Sequence, residues 1–303
     1  MDTRIRRAVE ALVALQLDDG EWPTTIASRM DMGGVTAPDT NYFTTPQVLW
    51  SLRALRSEFG QALERGARFV EAGARRGAWP FWTPKVRRPV DPDVDTTACA
   101  AAALVAVDRD FDAAPAIAAC LAMRDDDQRF LTWIRDRSRA NDVDAVVNAN
   151  ALWLLGDHPA AEPVVDWLLA LIAARAEAAA LLYYDRPLTV LHATSRALVA
   201  GCAALERGRG VMLERLETLA TEETAFGDAL DNAYALVVAN NLGEGRSRLA
   251  ARARDALWRQ QRADGLWPGV SAWNGPEHPA PRMLWWGAEA WTTAVAIEGL
   301  SAG

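Results

Sequence analysis

The chain has 303 residues, half of them hydrophobic, which is enough to bury a large core. Its formal net charge is −8 and its pI is near 5.1, so we expect no nucleic-acid partner, which would require a basic face. The N-terminal segment carries acids at Glu10 and Asp18 instead of the apolar stretch of a secretory leader. No run of eighteen apolar residues occurs, and the three cysteines are far apart in the sequence. These features predict a cytoplasmic protein with no transmembrane segment.

Six apolar runs recur along the chain, and each opens on a polar or aromatic residue. Charged amphipathic segments separate them, for example at 56–74, 160–178 and 246–259. Each interval is long enough for two helices with their loops. We expect inner helices to begin near the six openers, which are Phe43, Asp95, Asp144, His192, Asp231 and Trp291.

The apolar runs are nearly apolar all round, as helices buried on both sides should be, whereas the amphipathic segments suit an outer layer. Six such pairs closed in a ring form an (α/α)6 toroid. Ala and Leu dominate, and no convincing period-two strand pattern is found. The sequence therefore predicts an all-α single domain over residues 1–303.

A second repeat, Q-x3-G-x-W, runs from Gln16 to Trp22 and again from Gln261 to Trp267. The segment that ends at Trp79 is a decayed third copy with Gly73 in place of Gln. In this pattern the Gly ends a helix in a left-handed turn, the Trp folds back over the turn, and the Gln binds the exposed backbone. Each copy is expected to join an outer helix to an inner one.

Acids crowd the start of the second apolar run, at Asp91, Asp93 and Asp95. An Asp before Thr-Thr-Ala is a good helix cap, so capping alone is one interpretation. One cap does not account for three acids, and acids at the mouth of a buried helix are unfavourable unless they serve a function. A catalytic carboxyl is the other interpretation.

The next repeat has the same D-V-D spacing, in Asp142 and Asp144, and Asn148 lies one helical turn beyond Asp144. Such a polar strip would point into the lumen and bind substrate, orient the acid or hold a metal-bridged diphosphate. A solvated cap with satisfied amides is the alternative. Asp231, together with Asp228 and Asn232, is a weaker candidate for the polar lining at the same mouth of the ring.

Thirteen tryptophans are many for this length. Some must be core, while others suit an aromatic wall that stabilises a cation by roughly 0.5 to 2 kcal/mol per ring. The candidates on inner helices are Trp50, Trp153, Tyr234 and Trp291, and those on adjoining loops are Phe81, Trp82, Trp285 and Trp286.

No metal-ligand spacing is found around His158, His192, His278 or the cysteines. The one basic cluster, Lys85-Val86-Arg87-Arg88, suits either a solvated loop or a diphosphate site. We therefore expect no metal or cofactor, with Mg²⁺ left open for the case of a diphosphate substrate.

The Q-x3-G-x-W copies resemble the QW repeats of squalene-hopene and oxidosqualene cyclases, and Asp93-Val94-Asp95-Thr96-Thr97-Ala98 resembles the D-x-D-D-T-A acid motif of class II terpene cyclases. Thr96 stands where the motif usually has Asp, as in the D-x-D-T-T forms of bacterial drimenyl diphosphate synthases. Those cyclases normally pair two α-barrel domains, whereas this length supplies one, so the cavity lies within one ring or is completed by a second chain.

The resemblance implies protonation-initiated cyclisation of a linear isoprenoid, such as a prenyl diphosphate, by an isomerase or lyase. We expect a C15–C20 substrate, since one ring encloses less volume than a two-domain cleft. Asp95 would be the general acid and Asp93 its hydrogen-bond partner. Substrate would be bound by Asp142, Asp144, Asn148, Asp231, Trp50, Trp153, Tyr234, Trp291 and Trp286. A non-catalytic toroid that binds a lipid or partner protein, and the same acids acting on a non-terpenoid substrate, remain alternatives. Association into a homo-oligomer stays open.

Overall fold

The computed structural model describes residues 1–86, 88, 90–107, 110–222, 225–275 and 283–302. Twelve α-helices lie within these residues. They are α1 (Thr3–Ala14), α2 (Thr44–Leu52), α3 (Arg56–Ala72), α4 (Val94–Ala106), α5 (Ala114–Leu121), α6 (Ala145–Leu155), α7 (Glu162–Ala173), α8 (Pro187–Val199), α9 (Arg209–Leu219), α10 (Ala229–Asn241), α11 (Arg248–Gln260) and α12 (Glu289–Ser301).

The even-numbered helices form a closed inner ring. Each packs against the next, and α12 packs against α2, while the odd-numbered helices lie outside them. The inner helices are buried almost all round, and in α2 every residue is buried. The amphipathic outer helices bury one face, as in α1, where Ile5, Ala8, Val9 and Leu12 are buried. The prediction of an all-α toroid is confirmed.

Five inner helices begin within two residues of their predicted openers, and α8 does not. It begins at Pro187, five residues before His192. A proline fits the first helical turn because its missing N–H would have no partner there and its φ is already helical. The proline was the better start signal, and it places His192 inside the helix.

The structure adds to the helical ring a small sheet that no strand pattern in the sequence predicted. A four-stranded antiparallel sheet has the order β2-β1-β4-β3, built from β1 (Thr24–Ala27), β2 (Thr36–Asp39), β3 (Ser271–Asn274) and β4 (Trp285–Gly287). The strands have only three or four residues, too short for an alternating pattern to be read. The pairing of β1 with β4 also joins segments some 260 residues apart, with Ile26 opposite Trp286.

The Q-x3-G-x-W loops have the expected local geometry. Gln16 Nε2 donates to the Gly20 carbonyl at 3.0 Å and to the Ala62 carbonyl of α3 at 2.9 Å. Gly20 has φ +96°, and a Cβ there would lie 2.3 Å from the Arg65 carbonyl oxygen, so a side chain is excluded. Trp22 is fully buried, and its Nε1 donates to the Leu12 carbonyl of α1 at 2.9 Å.

The same loops explain the Thr-Thr pairs at the inner helix starts. The backbone N–H of Trp22 donates to Thr45 Oγ1, that of Trp79 to Thr97 Oγ1 and that of Trp267 to Thr293 Oγ1, each at 3.0 Å. Each tryptophan indole also donates to a carbonyl of the preceding outer helix. One tryptophan thus fixes an outer helix to the N-terminal end of an inner helix.

All three cysteines are buried and form no disulfide. Among the described residues, no helix combines the length and the apolarity needed to cross a bilayer.

We expect Trp22→Ala and Trp267→Ala each to lower the free energy of unfolding by roughly 3 to 5 kcal/mol, because each removes a fully buried indole and leaves a cavity. Urea unfolding followed by circular dichroism measures this. Leu17→Ala, in the first loop but 43% exposed, is the control and should change stability little. Unchanged midpoints in both tryptophan variants would contradict the structural role.

Candidate active site

A cavity lies at the N-terminal mouth of the inner ring, between the helix ends and the sheet. It contains about 450 Å³ of space between protein atoms, its open mouth included. Seven of its thirteen described lining residues are aromatic, and the two charged ones are carboxylic acids. The lining residues are Phe43, Phe81, Asp93, Asp95, Thr96, Thr132, Trp133, Val147, Tyr183, Tyr184, Trp273, Gly275 and Trp286.

Asp93 is the N-cap of α4. Its Oδ1 accepts from the Thr96 backbone N–H at 2.6 Å and its Oδ2 from Thr96 Oγ1 at 2.9 Å. Thr96, the departure from the usual acid motif, therefore supplies both donors. Among the described residues, no hydrogen bond joins the Asp93 and Asp95 side chains to each other, because capping directs the Asp93 carboxyl back onto its own helix.

Asp95 lies in the first turn of α4, is 8% exposed, and has side-chain partners from elsewhere in the ring. Its Oδ1 accepts from Asn150 Nδ2 of α6 at 2.6 Å. Its Oδ2 is joined to the hydroxyl of Tyr184, in the loop before α8, by a short hydrogen bond. Since Asp93 already caps the helix, Asp95 is not needed as a cap, and its carboxyl lines the cavity.

Burial keeps a proton on this pair near neutral pH. Desolvation, with the nearby Asp95 charge, raises the pKa of Asp93 to about 8. Desolvation also raises the pKa of Asp95 to about 6, although the Tyr184 and Asn150 donors and the Arg196 charge lower it. A buried acid that retains its proton and faces an apolar cavity can act as a proton donor.

Asp142 lies behind the cavity wall. Its Oδ2 accepts from the Tyr183 hydroxyl at 2.8 Å, and that hydroxyl accepts from Trp133 Nε1 at 3.1 Å. Tyr183 and Trp133 both line the cavity. Asp142 therefore orients two wall residues and is not itself in the lining.

The structure does not bring the predicted Asp144–Asn148 strip to the cavity. Asp144 caps α6 and is fully buried, and its oxygens accept from four backbone N–H groups, those of Val146, Val147, Leu182 and Tyr183. Asn148 is fully buried too, and it bonds the Phe130 backbone N–H and carbonyl. Both side chains therefore tie loops to α6. Asp144 is the N-cap of α6, so its counterpart on α4 is the N-cap Asp93 and not Asp95.

Asp231 is likewise held in an ion pair. It lies 2.9 Å from Arg186 Nη1, which also bonds the helix cap Asp228 at 2.7 Å. Arg186 Nη2 donates to the Ser271 carbonyl of β3 at 2.8 Å. This cluster fixes the starts of α8 and α10 to the sheet.

Of the five aromatic residues predicted to bind substrate, Trp286 lines the cavity. Trp291 lies directly behind the lining, with its ring centroid 4.9 Å from that of Trp273. Tyr234 stacks on the buried His192, at 4.3 Å between centroids. Trp50 and Trp153 line a separate groove at the C-terminal ends of α2, α4, α6 and α8, far along the ring axis from the acids.

The two partners of Asp95 were not among the site residues predicted from the sequence. Asn150 is two residues beyond Asn148, which on a helix turns its side chain by roughly 200° to the opposite face. The available signal was the presence of two asparagines, Asn148 and Asn150, in one apolar helix. The i+4 spacing from Asp144 favoured Asn148, but it is Asn150 that bonds Asp95. Tyr184 had no pattern of its own in the sequence.

The basic cluster is only partly described. Lys85 Nζ pairs with Asp19 at 2.5 Å and lies 3.5 Å from Glu21. Arg87 and His278 lie outside the described residues. Within the described ranges, no group of three or more His, Cys, Asp or Glu side chains is arranged to hold a metal ion.

Neither a protein-family model nor a curated protein matches the sequence. Solved structures resemble the chain over nearly its whole length. A protein from Actinoplanes superposes with a TM-score of 0.75 at 16% identity, covering 99% of this chain and 98% of its own. A variant of the type II terpene cyclase MstE from Scytonema, in complex with the substrate geranylgeranyl dihydroxybenzoate, gives a TM-score of 0.70 at 19% identity, with 99% and 96% coverage.

The ent-copalyl diphosphate synthase from Streptomyces platensis also resembles the chain, with a TM-score of 0.64 at 20% identity. The match covers 86% of this chain and 50% of that one, so the single ring here corresponds to part of the longer protein. At these identities the similarity establishes the fold.

The raised pKa values predict how stability depends on pH. Between the unfolded pKa of Asp, about 3.9, and the folded values of about 6 and 8, the native state binds more protons than the unfolded state. The free energy of unfolding should therefore fall as pH rises through this window, by at most roughly 1.4 kcal/mol per pH unit for each proton.

Urea unfolding of the protein and of Asp93→Asn/Asp95→Asn, between about pH 5 and about pH 9, measures this. The double variant lacks both titrating groups and should lose less stability as pH rises. The exposed Asp18→Asn variant is the control and should follow the unmodified protein. Equal pH dependence in all three proteins would contradict the raised pKa values.

Proposed function

We propose that this protein is a class II terpene cyclase-like enzyme that protonates a linear isoprenoid and closes the resulting carbocation into a ring. The observation that carries the proposal is Asp95, a buried carboxyl that no helix end requires, lining an aromatic cavity with a pKa raised to about 6. The resemblance in fold to terpene cyclases supports it.

In the proposed reaction, the π electrons of a terminal C=C bond take the proton from Asp95 and form a C–H bond. The tertiary carbocation that remains is attacked by the next C=C bond, which closes a ring and moves the charge along the chain. The last cation loses a proton to water, and the Asp95 carboxylate takes a proton back. Product and substrate are isomers, so no co-reactant is needed.

An alkene is a very poor base, so the donor must be protonated and close to it in a water-poor site. Burial supplies the first condition below about pH 6, because desolvation raises the pKa of Asp95 to that value, and the adjacent Asp93, with a pKa of about 8, keeps a proton in the pair at higher pH. Hydrogen bonds from Asn150 and Tyr184 supply the second, because they fix the carboxyl at the cavity.

Aromatic walls suit the cation that follows. Phe43, Trp273 and Trp286 lie on the side of the cavity formed by α2 and the sheet, and Trp133 and Tyr183 on the side near α6. A ring face attracts a cation without forming a bond to it, at roughly 0.5 to 2 kcal/mol for each contact. Such walls steer the charge and do not end the reaction early.

We propose a C15–C20 substrate, since a single ring encloses less volume than a cleft between two domains. A diphosphate head group would call for Mg²⁺ or basic residues at the mouth, so assays need both charged and uncharged isoprenoids, each with and without Mg²⁺. Geranyl, farnesyl and geranylgeranyl diphosphates, farnesol, geranylgeraniol and squalene form the panel.

We expect incubation of one of these substrates in D₂O to give a cyclic product with one carbon-bound deuterium, because the proton on Asp95 exchanges with solvent. Mass spectrometry of the product measures it. Asp95→Asn keeps the shape of the side chain but has no acidic proton, and it should abolish the product while the fold survives. The exposed Asp166→Asn variant is the matched control and should remain fully active.

Full turnover by Asp95→Asn would overturn the assignment of the acid. Tight isoprenoid binding with no product from any substrate would instead favour the lipid-binding alternative. Asp93→Asn should lower the rate less than Asp95→Asn, because it changes the surroundings of the donor without removing it.

The proposed acid also predicts a pH profile. Since Asp95 must be protonated, kcat/KM should fall as pH rises through about 6, approaching tenfold per pH unit above that value. Steady-state kinetics across this range measure the profile. A rate that rises over the same interval would indicate a deprotonated catalytic base instead.

A further inference from the structure

Arg196 of α8 is a buried cation at the centre of the ring. Its residue is 3% exposed, and none of the ion pairs found among the described residues includes it. Its guanidinium donates to two neutral amide oxygens, Oε1 of Gln47 on α2 and Oδ1 of Asn150 on α6, the latter at 2.6 Å. A buried charge without a carboxylate partner is costly, so its retention needs an explanation.

The contacts of Arg196 determine the orientation of Asn150. A guanidinium only donates hydrogen bonds, so the Asn150 side chain must turn its oxygen towards Arg196. Its NH₂ group is then directed at Oδ1 of Asp95, 2.6 Å away. If the amide were reversed, its NH₂ would face the guanidinium, which is repulsive, and its oxygen would face the carboxyl, which is repulsive whenever that carboxyl is ionised.

Two further contacts hold the Arg196 guanidinium in place. The guanidinium carbon lies 3.9 Å from the centre of the Trp153 ring, in a cation–π contact, and Gln47 fixes the other side of the guanidinium. Arg196 is not among the residues that line the cavity, so it does not touch a bound substrate. Any effect of Arg196 on catalysis must pass through Asn150 or through its charge.

We propose that Arg196 is the positioning residue of the proton donor: it locks the Asn150 amide with its N–H on Asp95 and stabilises the carboxylate that remains when Asp95 gives up its proton. The inference rests on Asp95 being the donor in the proposed function. Burial alone would give a carboxyl that stays protonated but gives up its proton reluctantly. A nearby cation and a fixed N–H donor stabilise the carboxylate that proton transfer leaves behind.

Other titratable groups also act on Asp95. They are Asp93 and Cys99 of α4, Asp144 at the start of α6, Tyr184 before α8, and Arg196 itself. The carboxylates disfavour the ionised form of Asp95, the Tyr184 hydroxyl favours it through its hydrogen bond, and among these groups Arg196 alone is a cation. Removing it should therefore shift the titration of Asp95 to higher pH.

The test uses infrared difference spectroscopy of the full-length protein, which detects the C=O stretch of a protonated buried carboxyl and needs no substrate. The band that is lost in Asp95→Asn identifies Asp95. In Arg196→Gln we expect the midpoint of this band to move up by about one pH unit. Arg196→Lys keeps the charge, so its midpoint should stay close to that of the unmodified protein.

The matched control is Arg186→Gln, which removes another buried arginine, one held by Asp228 and Asp231. It should lower stability and leave the Asp95 midpoint where it was. With an active substrate, Arg196→Gln should lower kcat by about 10- to 100-fold with little change in KM, and Arg196→Lys should restore part of the loss.

Asn150→Ala keeps the arginine and removes the amide, which provides a second test if Arg196→Gln does not fold. It should also raise the Asp95 midpoint and lower kcat. An unchanged midpoint in folded Arg196→Gln or in Asn150→Ala would overturn the proposal. If no isoprenoid is converted but the midpoint shifts as expected, the proposed function fails while the coupling of Arg196 to Asp95 holds.

Discussion

The structure depends on how each outer helix is fixed to an inner one. A buried tryptophan donates its indole N–H to the outer helix and its backbone N–H to a threonine in the first turn of the inner helix. This arrangement occurs at Trp22, Trp79 and Trp267. Because the threonine always lies at the N-terminal end, the inner helices that it fixes start at the same mouth of the ring.

That common mouth gives the cavity its chemistry. Helix N-termini have free N–H groups and favour acidic side chains, so caps such as Asp93, Asp144 and Asp228 gather there. Only after the capping groups are assigned does Asp95 stand out. Its oxygens bond an amide and a phenol from other parts of the ring, whereas Asp144 is bonded by four backbone N–H groups.

Two opposing influences act on the Asp95 carboxyl. Burial raises its pKa to about 6, and the Tyr184 and Asn150 donors and the Arg196 cation keep the pKa from rising further. The lower part of the lumen is filled by side chains such as His192, Tyr234 and Arg196, and the open space remains next to the acids. The polar layer that supports the acid thus also forms the floor beneath it.

Local signals in the sequence determined the helices, the tryptophan turns and the position of the acid motif, since each depends on neighbours within a few residues. The apolar periodicity gave the six helix pairs, and Asp93 and Asp95 both lie at the mouth of α4. Local signals could not show that Asp144 and Asn148 serve as structural ties. The first Asp of the D-V-D motif is the N-cap of α4, whereas the second Asp of the motif is the N-cap of α6. Nor could local signals show the sheet, whose short strands pair across almost the full length of the chain.

Tertiary structure alone decided which groups meet Asp95. Its contact with Asn150 spans 55 residues and its contact with Tyr184 spans 89. Whether Asn148 or Asn150 faces the lumen depends on the rotation of α6 about its own axis, which is set by packing against α4 and α8. The sequence by itself determined that an acid would stand at the mouth of a helical ring, and only the packing of that ring decided how the acid is held, because its partners come from distant helices.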